Sequence, residues 1–487
     1  MKICFFCDLH LPTNRNALQY DALDWLIFDL KEKSPDLIIY AGDITCFGNK
    51  DVYLSFIEKL NSIDIPFLFI PGNSDLRDRS SCELLKTISS PILTIKNGVK
   101  IFAINDCDRT ISEQTFMELE KLDNNSIIFM HHPTSELLEP YKSRFLNFRK
   151  NNPLSFLFFA HNHIFNVNDK DVSLPALDPD KCIGSSPAIV YFDSISHQIS
   201  LSFFDCPMPK NFVKNLGLSV YDFERDIGFA IENHIAYLEL RPDCYNGGDL
   251  AVRLIKEWKK TCGKQLSIHL PEIGFENQTV ILDKNLDNLL DFAKEVKASR
   301  FTQHVPLASL KNINQDQQSL DKIAKTLCEK LLPLGNHITL GVENMHMTEG
   351  ELADDSRRFG YTPEECISFM NALKKVCPFS VGINFDIGHA RNNAPFSSMY
   401  QISTWLEMVG NYTVGYHIHQ VTLDDNGFNN HMPITDVYGS LISYASLFKC
   451  LSKNKINSAP LIMEMRPNNA YPISFCTFKN ELKNKTN

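Results

Sequence analysis

The stretch ICFFCDLH at residues 3–10 is a short apolar run that ends in an acidic residue and a histidine. Four later runs end in the same kind of side chain: DLIIYAGD (36–43), FLFIPGN (67–73), SIIFMHHP (126–133) and FLFFAHNH (156–163). Short apolar runs with amphipathic stretches between them predict a layered α/β domain. In such a sheet the carboxyl ends of parallel strands converge, so we expect these polar ends to meet in one crevice.

The composition is that of a globular protein. The chain has 487 residues, of which 44% are hydrophobic and 22% are charged, and its formal net charge is −10. These values exclude a mainly disordered, collagen-like or coiled-coil protein. The negative charge also argues against an overall basic field that would hold nucleic acid by counterion release.

The second half has a different pattern. Two prolines in Cys206-Pro207-Met208-Pro209 interrupt regular structure, and we predict a boundary there, with domains at 1–205 and 206–487. Beyond it strand and helix signals alternate eight times, which predicts a (β/α)8 TIM barrel. The strands read LGLSV, AYLEL, QLSIHL, FTQHV, ITLGVE, VGINFD, VGYHIHQV and LIMEMR. The predicted fold class is therefore α/β, with a layered αββα domain followed by a barrel.

The cysteines and the start of the chain bear on location. Fourteen scattered cysteines are typical of reduced core residues, and strand alternation directs Cys4 and Cys7 to opposite faces. No run approaches the roughly 20 apolar residues of a membrane span, and the start lacks a signal-peptide core. We therefore expect a cytoplasmic protein without membrane partners.

The motifs of the first domain resemble those of the calcineurin-like metallophosphoesterases. The similarity lies in Asp8-Leu9-His10, Gly42-Asp43, Gly72-Asn73-Ser74-Asp75, His131 and Ala160-His161-Asn162-His163, in that order. It implies two divalent metals (Mn, Fe or Zn), one held by Asp8, His10 and His163, the other by Asn73, His131 and His161, with Asp43 bridging. It also implies catalytic roles for Asp43, Asn73 and His131.

Three neighbouring residues need separate interpretation. Ser74 occupies a position where the family usually has His or Glu, and a serine is no general acid at neutral pH. We therefore expect a preference for esters with good leaving groups. For Asp75 and His132 a structural role, as a turn aspartate and a packed histidine, is the better interpretation.

The predicted barrel also carries polar residues at the ends of its strands, where the active sites of this fold lie. They are His269, His304, Glu343, Asp386, His389, His417, His419 and Glu464. Converging carboxylates and imidazoles would be costly in an apolar core, so they indicate a bound cation or polar ligand.

These residues resemble the xylose-isomerase-like superfamily, which includes sugar epimerases and apurinic endonucleases. The resemblance implies a shared metal site of Glu343, Asp386, His417 and Glu464, with His269, His304, His389 and His431 as the further ligands of the endonuclease branch. Gln420 and Asn429 stand where carboxylates are usual, which favours one or two Zn or Mn ions over three. Arg466 is a candidate for binding a substrate phosphate or carboxylate, with a structural ion pair as the alternative, and for His419 a packing role is preferred.

We therefore expect a metal-dependent phosphoester hydrolase whose barrel acts on a related sugar, nucleotide or phosphate-containing small molecule. Isomerisation, epimerisation or a second hydrolysis would each suit the barrel. One alternative is a nucleic-acid-processing nuclease, because both superfamilies include nucleases. Another is a phosphoesterase with an inactive barrel that serves as a binding module.

Overall fold

The computed structural model describes residues 1–78, 85, 93–122, 125–204, 212–314, 318–348, 350–424, 427–437, 441–452, 459–466 and 470–484. The chain divides into two compact units, Met1–Cys206 with Tyr438–Ser446, and Pro207–Val437 with Leu447–Asn487. Compactness does not test independent folding, so the domain boundary at residue 206 stays a prediction.

The first unit contains two sheets. Its strands are β1 (Lys2–Phe6), β2 (Leu37–Ala41), β3 (Phe67–Ile70), β4 (Leu93–Lys96), β5 (Val99–Ala103), β6 (Ile127–Met130), β7 (Phe156–Phe159), β8 (Asn166–Asn168), β9 (Asp171–Ser173), β10 (Ala188–Asp193) and β11 (Ile199–Phe203). The sheet orders are β11-β10-β1-β2-β3 and β4-β5-β6-β7-β9-β8. The helices are α1 (Leu18–Lys33), α2 (Lys50–Asn61), α3 (Glu113–Leu119) and α4 (Tyr141–Asn151).

Strand alternation explains how the layers pack. Phe5 and Cys7 of the first strand segment face the second sheet, where Phe5 stacks on Phe158 with ring centroids 3.9 Å apart. Cys4 and Phe6 point the opposite way, into the core beneath α1 and α2. Helices α3 and α4 cover the outer face of the second sheet. The layered α/β/β/α architecture predicted from the sequence is confirmed.

The two sheets present their polar strand ends on loops. Strands β1, β2 and β3 are parallel and end at Phe6, Ala41 and Ile70. In the second sheet, β6 and β7 are parallel and end one residue before His131 and two residues before His161.

The second unit is a closed barrel of eight parallel strands, which confirms the predicted fold. Its strands are β12 (Leu216–Val220), β13 (Tyr237–Leu240), β14 (Gln265–His269), β17 (Arg300–His304), β18 (Thr339–Glu343), β19 (Ser380–Asp386), β20 (Thr413–Ile418) and β23 (Leu461–Met463). Two hairpins that the sequence analysis did not predict interrupt the alternation: β15 (Gly274–Glu276) with β16 (Thr279–Ile281), and β21 (Gln420–Asp424) with β22 (Gly427–Met432). The second hairpin carries Asn429 and His431.

Helices lie between the barrel strands. They are α5 (Phe223–Glu232), α6 (Gly248–Thr261), α7 (Leu286–Glu295), α8 (Leu310–Asn314), α9 (Gln318–Leu331), α10 (Pro363–Val376), α11 (Ile387–Arg391), α12 (Phe396–Met399), α13 (Ile402–Val409), α14 (Ala445–Ser452) and α15 (Ala470–Asn484). The start of α10 shows how sequence fixes a boundary: Thr362 accepts a hydrogen bond from the Glu365 amide, and Pro363 occupies the first helical position.

No helix in the described part of the chain is long and apolar enough to cross a bilayer.

We predict that Phe158→Ala lowers the free energy of unfolding by about 3–5 kcal/mol, because it removes the ring stacked on Phe5 and leaves a cavity between the sheets. Chemical denaturation of the full chain measures this change. Phe28→Ala is the control, since Phe28 is 63% exposed and its loss should change the midpoint little. Equal effects of the two substitutions would contradict the packing described above.

Candidate metal centres

The first centre lies where the strand ends of the first unit meet. Potential ligand atoms of Asp8, His10 and His163 lie within 4.8 Å of one another, and so do those of His131, His132 and His161. Asp43 connects the two groups, because its Oδ2 lies 3.3 Å from His10 Nε2 and 3.6 Å from His131 Nε2. Two adjacent cation positions with one shared carboxylate are the arrangement of a dinuclear site.

Asn73 belongs to the second group. Its Oδ1 lies 3.0 Å from His131 Nε2, and His161 Nδ1 lies 3.3 Å from the same nitrogen. The structure thus brings together all seven side chains that the sequence analysis assigned to this centre. Their roles as ligands and catalytic groups stay predictions.

The loops that hold these residues are strained. Asp8, His10, Asp43, His161 and His163 all adopt left-handed backbone conformations, with φ between 46° and 70°. Such conformations cost L-residues roughly 1–2 kcal/mol each and cluster at functional sites. Gly42 (φ 96°) permits the close approach, because a Cβ there would lie 2.5 Å from His131 Nδ1.

Asp75 organises the loops around Asp43. Its Oδ1 accepts hydrogen bonds from the amide and hydroxyl of Thr45, and its Oδ2 accepts from the amides of Gly72, Asp43 and Ile44. These five bonds all come from donors of neighbouring loops. The geometry therefore gives Asp75 a structural role, as the sequence analysis preferred.

Ser74 is buried rather than directed at a substrate. Its hydroxyl donates to the Thr45 carbonyl at 2.7 Å, and its amide donates to Asp43 Oδ1 at 2.8 Å. The Ser74 amide thus helps to hold the bridging carboxylate in place, while the hydroxyl is engaged by a carbonyl.

Polar partners of Nδ1 leave Nε2 of His131 and of His10 directed into the centre. His131 Nδ1 donates to the Ala41 carbonyl at 2.9 Å, and a carbonyl can only accept, so this nitrogen carries the proton. His10 Nδ1 lies 3.2 Å from Asp178 Oδ2. This pairing with carbonyls and carboxylates is typical of histidines that bind metals.

Electrostatics couple the bridging carboxylate to its neighbours. Burial opposes the ionised form of Asp43, but His131 and His10 outweigh it and hold the pKa of the carboxyl well below its usual range. Burial likewise opposes the charged form of His131, yet Asp43 and Asp8 raise its pKa to about 9. The cluster therefore needs positive charge beside Asp43, from protons or from cations.

The second centre lies at the carboxyl ends of the barrel strands. Glu343 connects two groups of potential ligands there, His269 with His304, and Asp386 with His417 and Glu464. Its Oε1 lies 3.0 Å from His417 Nδ1, and its Oε2 lies 3.3 Å from His269 Nε2. Glu343 thus occupies the same kind of bridging position in the barrel as Asp43 does in the first unit.

A third group of ligand atoms lies beside these two, formed by His389, His419 and His431. His389 Nδ1 donates to the Asn344 carbonyl and His431 Nδ1 to the Glu464 carbonyl, which leaves both Nε2 atoms available. His419 Nε2 lies 3.3 Å from Asp386 Oδ1. His419, for which a packing role was preferred, therefore lies within the ligand group itself.

Glu239 fixes the ring of His417 from below. Its Oε1 lies 2.6 Å from His417 Nε2, while its Oε2 accepts hydrogen bonds from the hydroxyls of Ser267 and Thr302. His417 therefore presents Nδ1 to Glu343 and Glu464. Burial opposes ionisation of Glu239, but His417 outweighs it and lowers the pKa of Glu239 to about 2.

Sequence motifs did not indicate several residues that contact the two centres: Asp178 beside His10, Asp106 beside His131, Glu239 beside His417, Arg241 beside Glu464 and Glu272 beside His304. The sequence does indicate a role for Glu239, because it is an inward-facing charge between Leu238 and Leu240 in a barrel strand. No such indication exists for Asp178 and Asp106, since a single aspartate in a loop is common.

Both centres fit divalent cations. Asp8 Oδ1 and Asp386 Oδ2 are buried and accept no hydrogen bond from the described residues. Mixed imidazole and carboxylate donors suit Zn, Fe or Mn. The residues present therefore match the metals that the sequence analysis expected, while the identity of the metals stays a prediction.

We predict that Asp75→Asn lowers the free energy of unfolding of the full chain by at least about 2 kcal/mol, because an amide NH₂ would replace an acceptor among five donors. Chemical denaturation provides the measurement. The control is Asp51→Asn on an exposed face of α2, which changes charge alone. Wild-type stability in Asp75→Asn would show that these hydrogen bonds do not hold the loops.

Comparison with known proteins identifies the first unit. Residues 1–173 match the family model of the calcineurin-like phosphoesterases. A probable glycerophosphodiester phosphodiesterase of Arcobacter nitrofigilis is 31% identical over 22% of this chain and 45% of its own length. A probable cyclic nucleotide phosphodiesterase of Xenorhabdus bovienii is 27% identical over 27% of this chain and 63% of its own length. The chain thus spans less than two thirds of either relative.

Solved structures also resemble the chain. A D-tagatose 3-epimerase-like protein is 19% identical, with a TM-score of 0.40, and the match covers 56% of this chain and 99% of that protein. A putative xylose isomerase from Rhodospirillum rubrum is 14% identical, with a TM-score of 0.42, over 55% of this chain and 97% of that protein. The barrel itself is shown by its own strand pairing. Residues 1–173 therefore match the calcineurin-like phosphoesterase family model, and a closed eight-stranded parallel barrel follows them in the chain.

Proposed function

We propose that this protein hydrolyses a small phosphoester at the first centre. One observation carries the proposal: the buried Asp43 carboxylate lies between two groups of ligands, 3.3 Å from His10 and 3.6 Å from His131. The relatives named above as phosphodiesterases support a phosphodiester as the substrate.

The residues of the first centre have distinct tasks in this proposal. Asp8, His10 and His163 would hold one cation, and Asn73, His131 and His161 the other, with Asp43 shared. Paired divalent cations supply positive charge that acidifies water and stabilises phosphoryl oxygens. Asn73 and His131, which are 3.0 Å apart, would position the phosphoryl group as charge develops on it.

The environment of Ser74 limits the choice of substrate. Its hydroxyl is committed to the Thr45 carbonyl, so this position supplies no general acid. We therefore propose that esters with low leaving-group pKa are hydrolysed fastest.

The barrel would carry out a second, metal-dependent step on a related sugar, nucleotide or phosphate-containing molecule. Glu343, Asp386, His417 and Glu464 would hold one Zn or Mn, with His269, His304, His389 and His431 as further ligands. Arg466 would bind an acidic group of the substrate. Support comes from the bridging position of Glu343 and from a cavity of about 630 Å³, which is lined by His269, His304, His389, His431, Glu464 and Arg466.

We predict that Asp43→Asn lowers turnover of an activated aryl phosphodiester by at least about 100-fold, because the shared negative charge between the two cation positions is lost. Steady-state assays of the purified full chain, with metal content measured by elemental analysis, test this. Asp51→Asn provides the matched control. Wild-type turnover with unchanged metal content in Asp43→Asn would refute the dinuclear assignment.

We also predict that the double variant Glu343→Gln, Glu464→Gln loses the metal of the barrel and keeps aryl phosphodiester turnover within about twofold, because the two sets of ligands do not share residues. The lost metal should also lower the melting temperature, since a ligand bound only to the folded state stabilises it. Elemental analysis and thermal denaturation measure both effects.

The exposed pair Glu257→Gln, Glu329→Gln is the control for the barrel variant. Unchanged metal content in Glu343→Gln, Glu464→Gln would favour the alternative in which the barrel is an inactive binding module. A nuclease is tested in the same assays by offering single-stranded and duplex DNA beside the aryl diester.

A further inference from the structure

Two arginines line the barrel cavity. The cavity, of about 630 Å³, is lined by Arg241 and Arg466, by Glu272 and Glu464, and by histidines of the second centre. Arg241 directly follows β13, and Arg466 comes three residues after β23. Strands β23, β12 and β13 are neighbours in the barrel, so both arginines belong to one sector of its rim.

Arg241 has donors to spare. Its Nη1 donates a hydrogen bond to Glu464 Oε1 at 2.5 Å, and the guanidinium lies over the ring of Tyr221, 5.2 Å from the ring centroid. A guanidinium has five N–H donors. Within the described residues, only Glu464 accepts a hydrogen bond from the guanidinium of Arg241. The side chain is 27% exposed, so its remaining donors are accessible from the cavity.

Arg466 lies in the same sector of the barrel rim. Its backbone amide donates to the His431 carbonyl at 3.0 Å, and its side chain contacts the Tyr221 hydroxyl. It forms no ion pair with any carboxylate of the described residues, and its side chain is exposed.

Arg466 has no carboxylate partner among the described residues, whereas Arg241 is paired with Glu464. Glu272, the other carboxylate that lines the cavity, is paired with His304. An exposed, unpaired guanidinium beside a polar cavity favours an anionic group on the ligand, and arginines suit the several oxygens of a phosphate.

We propose that the barrel cavity binds a small phosphomonoester, whose phosphate contacts Arg241 and Arg466 and whose hydroxyl groups face the ligands of the second centre. A phosphorylated sugar suits a cavity of this volume, which lies within the usual range for small-molecule sites.

The proposal also places the barrel in a reaction sequence, and this part rests on the proposed function of the first centre. Hydrolysis of a phosphodiester adds water to phosphorus and breaks the bond from phosphorus to the leaving alcohol. The alcohol keeps one proton of the water and the other is released, so a phosphomonoester remains with one more negative charge. Phosphodiester hydrolysis is therefore the class of reaction that supplies the ligand of the barrel.

Isothermal titration calorimetry of the metal-loaded full chain measures the phosphate affinity and so tests the phosphate site. The Asp43→Asn background removes hydrolysis at the first centre, and inorganic phosphate is the first probe. We expect Arg466→Ala to bind phosphate at least tenfold more weakly than its parent. The phosphate affinity of Arg466→Lys should lie between those of the parent and Arg466→Ala. Arg253→Ala, on an exposed position of α6, is the matched control for lost charge and should bind as the parent does.

Two further probes define the ligand class. Ribose 5-phosphate should bind at least tenfold more tightly than ribose, and Arg466→Ala should abolish that difference. Equal phosphate affinity in Arg466→Ala and Arg253→Ala, at equal metal content, would overturn the proposal. If ribonate, a sugar carboxylate, binds as tightly as ribose 5-phosphate, the assignment of a phosphomonoester is wrong.

These results are independent of the proposed hydrolysis. Arg466-dependent phosphate binding in a chain whose wild type fails to cleave aryl diesters would refute the function of the first centre and leave the anion site standing. Hydrolysis of aryl diesters without Arg466-dependent phosphate binding would refute the anion site and leave the function of the first centre standing.

Discussion

Burial of a bridging carboxylate between imidazoles is the interaction on which both centres depend. Asp43 and Glu343 are almost wholly removed from water. Asp43 lies within 3.6 Å of two histidines, and Glu343 lies within 3.6 Å of three. A carboxylate buried in this way is tolerable only when positive charge compensates for its lost hydration. The neighbouring histidines supply that charge when they are protonated, and bound cations would supply it instead.

The conformation of the surrounding backbone positions these carboxylates. In the first unit, Asp8 and Asp43 adopt left-handed conformations, while Asp75 ties the Asp43 loop to the loop of Gly72 through five hydrogen bonds. In the barrel, the ligands leave regular strand ends, and His431 is the one residue of its described ligand set with a positive φ. Strain is therefore concentrated in the loops of the first centre and, in the barrel, at His431 on the β21–β22 hairpin.

Both centres also fix their histidines by the same device. Backbone carbonyls accept from Nδ1 of His131, His389 and His431, so these rings present Nε2. His417 is reversed, because Glu239 takes its Nε2 and turns Nδ1 toward Glu343. The tautomer of each ring is thus set by a neighbouring carbonyl or carboxylate, which makes these neighbours as important to the geometry as the candidate ligand atoms.

The sequence by itself determined the two folds and most of the candidate ligands, because the apolar runs fix the strands and the residues that end a strand must lie at its carboxyl edge. Asp8, Asp43, Glu343 and Asp386 could all be read in this way. Only the tertiary structure showed that Asp178 holds His10, that Glu239 holds His417 across 178 residues, and that the Ser74 hydroxyl is buried against a carbonyl. It also placed Arg241 beside Glu464. Periodicity records which face of a strand a residue occupies, whereas the partner that a side chain meets there depends on how distant segments pack.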